Sequence, residues 1–281
     1  MYLSIDQAMR RFSVGILLSA VAAAVVAYFV VVVSRSSVVE QQNDLGFGSM
    51  FDRIADHYDI ANRVMSLGLD RGWRVRMVGA LELVSTDVAL DLATGTADVA
   101  LLEGRVSRRV LGVDPSEKML AVGRKKIAAA KLDDSIRLEV GDATSLLALQ
   151  NETFDKISMA FGIRNVPNLD AALSEMRRVA KDNATLVILE FAMPEDNILA
   201  PVARFFINHL VPRIGALLSG AKWTEYRHLQ ESIAKFPKPH DFANIMRHNK
   251  WDVSHIEFLA FGSVALYLAH PLLPPEDESL K

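Results

Sequence analysis

The sequence contains no cysteine, which excludes disulfides, thiolate-bound zinc and a thiol nucleophile together while leaving the redox compartment open. It also lacks an excess of positive charge: 31 Lys and Arg stand against 34 Asp and Glu, for a net charge of −3. Phosphate neutralisation demands dense cation clusters, so no nucleic acid partner is expected. The run from Lys118 to Lys131 gathers Lys118, Arg124, Lys125, Lys126 and Lys131, and reads as a solvated helix face. None of the seven histidines has a metal-ligand spacing, and His209, His228 and His240 read as surface or satisfied residues. No internal repeat is visible. With 51% apolar and 23% charged residues, disorder is excluded for most of the chain.

What the chain does have, near its start, is a long apolar run. Val14 to Val33 is twenty residues without a charge, enough at about 1.5 Å per residue to span a bilayer core of about 30 Å. An uncleaved transmembrane anchor is favoured over a secretory signal, whose apolar region is usually shorter. Arg10 and Arg11 precede the run and Arg35 follows it, an asymmetry too small to orient it. The resulting organisation is an amino-terminal segment at 1–13, an anchor at 14–33, a polar tether at 34–48, a folded domain at 49–270 and a loose tail at 271–281.

Within the domain, the stretch VALDLATGTAD at Val88 to Asp98 reads as strand, tight turn and helix. Small residues let backbone approach a ligand there, and the helix that follows offers unpaired N–H groups. A second apolar strand, RVLGVD, ends in Asp114, 23 residues after Asp91, where a carboxylate can grip ribose hydroxyls. A dinucleotide pyrophosphate needs the full G-x-G-x-x-G, yet this loop has a single glycine, Gly95, and an acid, Asp91, at its mouth. That chemistry favours S-adenosylmethionine, whose amino group and sulfonium tolerate negative charge, over NAD.

Around the loop, periodicity predicts two or three helices between Met50 and Leu83. A regular alternation follows: strand Arg109 to Val113, helix Ser116 to Ala130, strands Ile136 to Val140 and Lys156 to Ala160, helix Asn168 to Ala180, and strand Thr185 to Phe191. Asn168 is placed to cap its helix. The pattern is that of an α/β fold, a Rossmann-like parallel sheet with helices on both faces, and it puts ligands at the carboxyl ends of the strands. Asn197 to Pro237 breaks the rhythm with Phe205, Phe206, Trp223, Tyr226 and Phe236, either a substrate cover or extra core. Trp251 to Phe258 and Ser263 to Ala269 read as two closing strands.

Several stretches together carry a family resemblance: Tyr58-Asp59 with Asn62, MSLGLDRGWR from Met65, LDLATGTAD from Leu90, GVDPSEKML from Gly112, GDA from Gly141, FGIRNV from Phe161, LEF from Leu189 and ESIAKFP from Glu231. From Phe51 to Ala269 the chain resembles the ubiquinone/menaquinone-biosynthesis C-methyltransferases, within the Rossmann-like adenosylmethionine enzymes. The resemblance implies methyl transfer to a ring carbon of a polyprenylated benzoquinol or naphthoquinol. It implies cofactor contacts at Thr96, at Asp114 for the ribose, and at Asp142 and Ala143 for the adenine. Tyr58, Arg164 and Asn165 are implied for substrate and proton handling. Departures are Ala97 where the family usually has Gly, Ala160 for Ser or Thr, Ala221 for Asp, and His228 for Tyr. Alanine at 97 is expected to be tolerated if φ there is negative.

The residue types suit the chemistry. A quinol carbon becomes nucleophilic when a neighbouring hydroxyl ionises, so the site must stabilise a phenolate, which the cationic fork of Arg164 can do. The alternative for Arg164 is a structural ion pair, for instance with Glu190, and Tyr58 reads equally well as a packing aromatic. A membrane anchor fits an isoprenoid substrate, and a quinone-synthesis complex or a homodimer is a compatible assembly. The mitochondrial inner membrane, matrix side, is the first expected location and the bacterial cytoplasmic membrane the second. Two other functions stay open: a non-catalytic membrane-held subunit of a quinone-synthesis assembly, and a Rossmann dehydrogenase.

Overall fold

The structure, a computed structural model, describes residues 51–193 except 54, 56, 57 and 67, and residues 231–272. The expected anchor and tether, residues 197–230 of the aromatic segment and the tail from 273 lie outside the described residues. Among the described residues, no helix is long and apolar enough to cross a membrane.

Two helices, α1 (Tyr58–Met65) and α2 (Leu69–Ala80), lead into β1 (Val88–Leu92), α3 (Asp98–Glu103), β2 (Arg109–Asp114), α4 (Glu117–Ala130), β3 (Ile136–Val140) and β4 (Phe154–Ala160). A short 3-10 turn at Ile163–Asn165 then precedes α5 (Leu169–Val179), β5 (Ala180–Phe191), α6 (Pro239–His248), β6 (Trp251–Leu259) and β7 (Val264–Pro271). The seven strands form one sheet in the order β3-β2-β1-β4-β5-β7-β6. The first five run parallel, whereas β7 is antiparallel to both neighbours. The sheet is therefore mixed, and the parallel pattern read from the sequence holds only for its first five strands.

Both faces are covered, as the near-continuous apolar run of β5 requires. Leu186 and Ile188 pack with Leu173 and Met176 of α5 and Phe242 and Met246 of α6. Val187 and Leu189, facing the other way, pack with Met77 of α2, Leu81 just beyond it and Val99 of α3. Trp251 is fully buried and donates its indole N–H to the Leu173 carbonyl at 3.0 Å. Phe236, the described member of the aromatic segment, lies 4.9 Å from Phe242 and packs against the same core.

Helix starts follow the local chemistry. The Asn168 side chain accepts from Ala171 N at 3.0 Å, the cap expected from the sequence, and the Ser116 hydroxyl accepts from Met119 N at 3.2 Å at the start of α4. Strand β5 departs from expectation by starting directly at Ala180, the residue that follows α5, with a register shift against β4 between Phe154 and Lys156. Lys181, Asp182 and Asn183 carry no apolar signal because this first stretch is largely exposed, and Lys181 spends its charge on Asp155 at 2.8 Å.

The turn leaving β4 lies against the loop leaving β1, and Gly162 permits that approach: a Cβ there would sit 2.4 Å from the Ala93 Cβ. Because neither atom belongs to a flexible side chain, Gly162→Ala must displace backbone, at about 1–3 kcal/mol. Urea unfolding should show that loss, and a midpoint equal to that of the parent protein would mean the two turns are free to separate.

Candidate active site

The carboxyl ends of β1, β2 and β4 converge on the loop from Ala93 to Ala97. Gly95 has φ +55°, and so do its neighbours lie in the left-handed region, Ala93 at +51° and Ala97 at +66°. The condition under which alanine at 97 was expected to be tolerated, a negative φ, is thus not met. An alanine in that conformation is strained by about 1–2 kcal/mol. Its fully buried methyl packs with Ala100 and Leu120, and that packing offsets part of the strain.

Two carboxylates hold this loop. Asp91 is 1% exposed. One of its oxygens accepts from Thr94 Oγ1 at 2.6 Å and Ala100 N at 3.1 Å, and the other from Ser158 Oγ of β4 at 3.1 Å. Asp114, at the end of β2, accepts from Gly95 N and from Ser116 N, both at 2.9 Å. Burial raises the Asp114 carboxyl above the usual range, opposed by those two N–H groups. Each Asp114 oxygen has one chain donor and lone-pair capacity left, as a ribose diol requires. Asp142 is exposed beyond β3, accepts from Thr144 N at 2.8 Å and is followed by buried Ala143.

Thr96 is also held from outside the loop. Its hydroxyl donates to Asp59 Oδ1 of α1 at 2.6 Å and accepts from Lys126 Nζ of α4 at 3.1 Å. The sequence reading of a solvated face at Lys118 to Lys131 therefore fails for Lys126, which is drawn down to the loop. No periodicity signals this, since the partners lie on three other segments.

A second cluster sits across the ends of β4 and β5. The MSLGLDRGWR stretch forms the start of α2, where Ser66 Oγ donates to Asp70 Oδ1 at 2.9 Å and Arg74 pairs with Asp70 at 2.6 Å. The Arg74 guanidinium lies 5.4 Å from the Phe161 ring centre, and Phe161 stacks 4.7 Å from Phe191. Arg164 lies over Phe191 at 5.2 Å. It donates from Nη1 to Glu190 Oε1 at 2.7 Å and to the Phe161 carbonyl at 2.6 Å, while Glu190 Oε2 accepts the Arg164 backbone N–H at 3.2 Å. The ion pair expected as the alternative for Arg164 is present. The pair does not saturate the guanidinium, because the buried Nε has no hydrogen-bond partner. Asn165 is buried in the 3-10 turn that carries Arg164.

Tyr58 ties the two clusters together. Half-buried on α1, it feels Arg74, Arg164 and Asp114 as charged neighbours, with an Asn62 hydrogen bond and an edge contact to Phe51 at 6.2 Å. Burial raises its hydroxyl above the ordinary phenol value despite Asn62 and the two arginines. At neutral pH Tyr58 is consequently a hydrogen-bond donor.

Residues 37–270 match the ubiE/COQ5 methyltransferase family. The chain belongs to this family. A demethylmenaquinone methyltransferase of Deinococcus radiodurans is 39% identical over 78% of this chain and 90% of its own. A ubiquinone/menaquinone biosynthesis C-methyltransferase of Syntrophotalea carbinolica is 39% identical over 80% of this chain and 94% of its own. Among solved structures, geranyl diphosphate C-methyltransferase from Streptomyces coelicolor, bound to S-adenosyl-L-homocysteine, superposes with TM-score 0.53 at 16% identity, covering 72% of this chain and 79% of that one. The [4+2]-cyclase SpnF superposes at 0.56 with 14% identity, covering 85% and 100%. These last two establish the fold alone. The enzyme is a methyltransferase with S-adenosylmethionine as its cofactor, and neither the dehydrogenase nor the non-catalytic reading finds support among the relatives.

One methyltransferase residue escaped the sequence reading altogether. Glu103, the last residue of α3, is fully buried with neither carboxyl oxygen hydrogen-bonded. Nothing in DVALLE distinguishes it from an exposed helix end. Burial, then the nearby Asp91, pushes its carboxyl up to about 8 from 4.5, against a small pull from Ser158, and Asp91 is itself raised by burial. The folded chain thus holds a proton that the unfolded chain has released. This contribution to stability is full below about pH 4.5 and declines until it is lost above about pH 8. Glu103→Gln should gain melting temperature over the parent as pH rises from 5 to 9, by at least about 2–4 °C, the shift that 1 kcal/mol gives in a domain of this size. A difference constant across that range would assign Glu103 an ordinary titration.

Proposed function

We propose that this methyltransferase acts on a ring carbon of a polyprenylated benzoquinol or naphthoquinol. The observation that carries the reading is Arg164. A buried guanidinium, oriented by Glu190 and the Phe161 carbonyl, keeps an unpartnered Nε–H beside an aromatic wall of Phe161 and Phe191. The names of the relatives, which span nearly their full length on this chain, point to quinone precursors as acceptors. S-adenosylmethionine, when bound, supplies a methyl group made electrophilic by its sulfonium. The residues present fit that cofactor: Asp114 has free acceptor capacity at the Gly95 loop, Asp142 and Ala143 stand beyond the neighbouring strand for the adenine, and Thr96 completes the loop. Asp91 acts by holding the loop through Thr94 and Ala100.

The enzyme's own groups prepare the acceptor. Arg164 stabilises the phenolate oxygen formed when the acceptor hydroxyl ionises, the state in which the neighbouring ring carbon is nucleophilic, and a fixed donor there needs no reorganisation during reaction. Tyr58, protonated and adjacent, donates a second hydrogen bond, and Asn165 helps fix the acceptor beside the same turn. The Val14 to Val33 run serves as a tether that raises local concentration at the bilayer where isoprenoid tails reside. Bacterial relatives favour the bacterial cytoplasmic membrane over the mitochondrial inner membrane. A complex or homodimer is compatible with this reading and is not required by it.

Transfer of a labelled methyl group to a short-tailed demethylmenaquinol tests the reading directly, and thermal stabilisation by NAD in place of adenosylmethionine would refute it. Asp114→Ala should weaken adenosylmethionine binding at least about tenfold, since hydrogen bonds to a charged acceptor contribute about 1.5–3 kcal/mol each. Unchanged calorimetric affinity would move the ribose contact elsewhere. Arg164→Ala should lower turnover by about 10² to 10³. It also strands Glu190 as a buried charge, at about 3–5 kcal/mol, so Arg164→Lys, which keeps a cation for Glu190, is the cleaner comparison. Lys should restore stability while recovering turnover only partly, and near-normal turnover in the alanine variant removes Arg164 from the reaction.

A further inference from the structure

Lys126 is the only described cation that touches the cofactor loop from outside, and it does so at a convergence of four segments. Its ammonium lies 3.0 Å from Asp59 Oδ2 on α1, 3.1 Å from Thr96 Oγ1 in the loop, and in contact with Asp98 Oδ1 at the start of α3. Asp59 in turn takes the Thr96 hydrogen at 2.6 Å. All three donors of the ammonium are thereby used, and Thr96 both gives and accepts. An isolated surface pair of this exposure would contribute at most about 1 kcal/mol, so stability alone is a weak reason for such a closed network.

Its placement supplies a better one. The same loop is gripped at adjacent residues by two different parts of the chain: Gly95 by Asp114 and Thr96 by Asp59. Asp59 follows Tyr58 directly on an eight-residue helix. Fixing Asp59 against Thr96 therefore fixes Tyr58 relative to Asp114 and to the turn of Arg164, whose charges it feels. Without Lys126, Asp59 and Asp98 would face each other as like charges beside the loop, and α1 would be held to it by one hydrogen bond.

We propose that Lys126 is a positioning residue that latches α1 to the cofactor loop, so that filling the loop with adenosylmethionine orders Tyr58 for the acceptor. The proposal rests on the methyltransferase reading above for its kinetic consequence alone, because the latch itself is read on cofactor binding. A coupling of this kind acts on a discrete element, here α1, that both sites bias.

The test uses the full chain with Lys126→Ala, Lys126→Arg and, should alanine lower the yield, Lys126→Gln, which keeps the stem and removes the charge. Adenosylmethionine affinity is measured by calorimetry, amide hydrogen exchange of residues 58–65 with and without adenosylmethionine, and kcat and KM for a short-tailed demethylmenaquinol. In the parent, adenosylmethionine should slow exchange across α1. In Lys126→Ala the affinity should stay within about threefold while that slowing disappears and kcat falls at least about tenfold, with both recovered in part by Lys126→Arg. Slowing of α1 exchange that persists in the alanine variant overturns the proposal, as does a kcat within about twofold of the parent. A fall in melting temperature and affinity that arginine does not rescue also overturns it, in favour of a purely structural pair. If the parent methylates no quinol yet α1 exchange depends on Lys126, the acceptor assignment fails and the latch stands.

Discussion

The acceptance of the Gly95 N–H by Asp114 is the contact on which the site depends. It crosses from β2 to the loop after β1, and it fixes a backbone stretch in which three residues of five adopt left-handed φ. Such a loop has little intrinsic preference for its shape, because two of those residues are alanines. Its conformation is imposed by side chains anchored in the sheet: Asp114 from β2, Asp91 from β1 and Ser158 from β4. Taking two carboxylates out of water carries a desolvation cost, visible in the raised titration of both. The cost is offset by the hydrogen bonds each receives. A rigid loop with carboxylate acceptors already in place spares a ligand the entropy of ordering them.

Much of this was readable in the sequence, for physical reasons that can be named. Strands β1 and β2 are short, mostly apolar runs with an acid at or beside the last position, Asp91 and Asp114, as the interior of a parallel sheet buried on both faces requires. The Asn168 cap acts within three residues of itself, so local chemistry sufficed. Asp114 was legible because its task is set by strand position. Three things were not legible. The sign of φ at Ala97 is imposed by packing on α4 and by the ties of the loop to β2, both non-local. The direction of β7 depends on which edge of β5 is open, which alternation cannot encode. The partners of Asp91 and Lys126 lie up to 67 residues away in the chain, and a lysine on a helix looks the same in sequence whether it faces water or a loop.

Arg164 and Arg74 share a design. Each is a buried guanidinium pinned by one carboxylate, Glu190 or Asp70, and laid against the ring of Phe191 or Phe161. A buried ion pair is a poor source of stability compared with apolar packing. Two of them flanking Phe161, itself in the left-handed region at φ +57°, mark the ends of β4 and β5 as a place where stability has been exchanged for oriented charge. The pairing that holds Arg164 against Glu190 is compatible with both readings of the residue, since the fixed guanidinium keeps an Nε–H without a partner.

The position of β7 bears on how the chain is made. Strand β5 is complete at Phe191, yet the strand that covers its open edge begins 73 residues later. At a synthesis rate of about 5–20 residues per second, a ribosome needs several seconds to deliver it. Until β7 is made, that edge of β5 lacks the partner strand it has in the finished sheet, and an unpaired strand edge is a template on which unrelated strands stack. Because β6 is joined to the sheet only through β7, it too waits for the last residues. Folding of this protein is thus finished from its carboxyl end, and a messenger truncated shortly before Val264 would yield not a slightly shorter enzyme but a sheet with an unsealed margin, a substrate for chaperones.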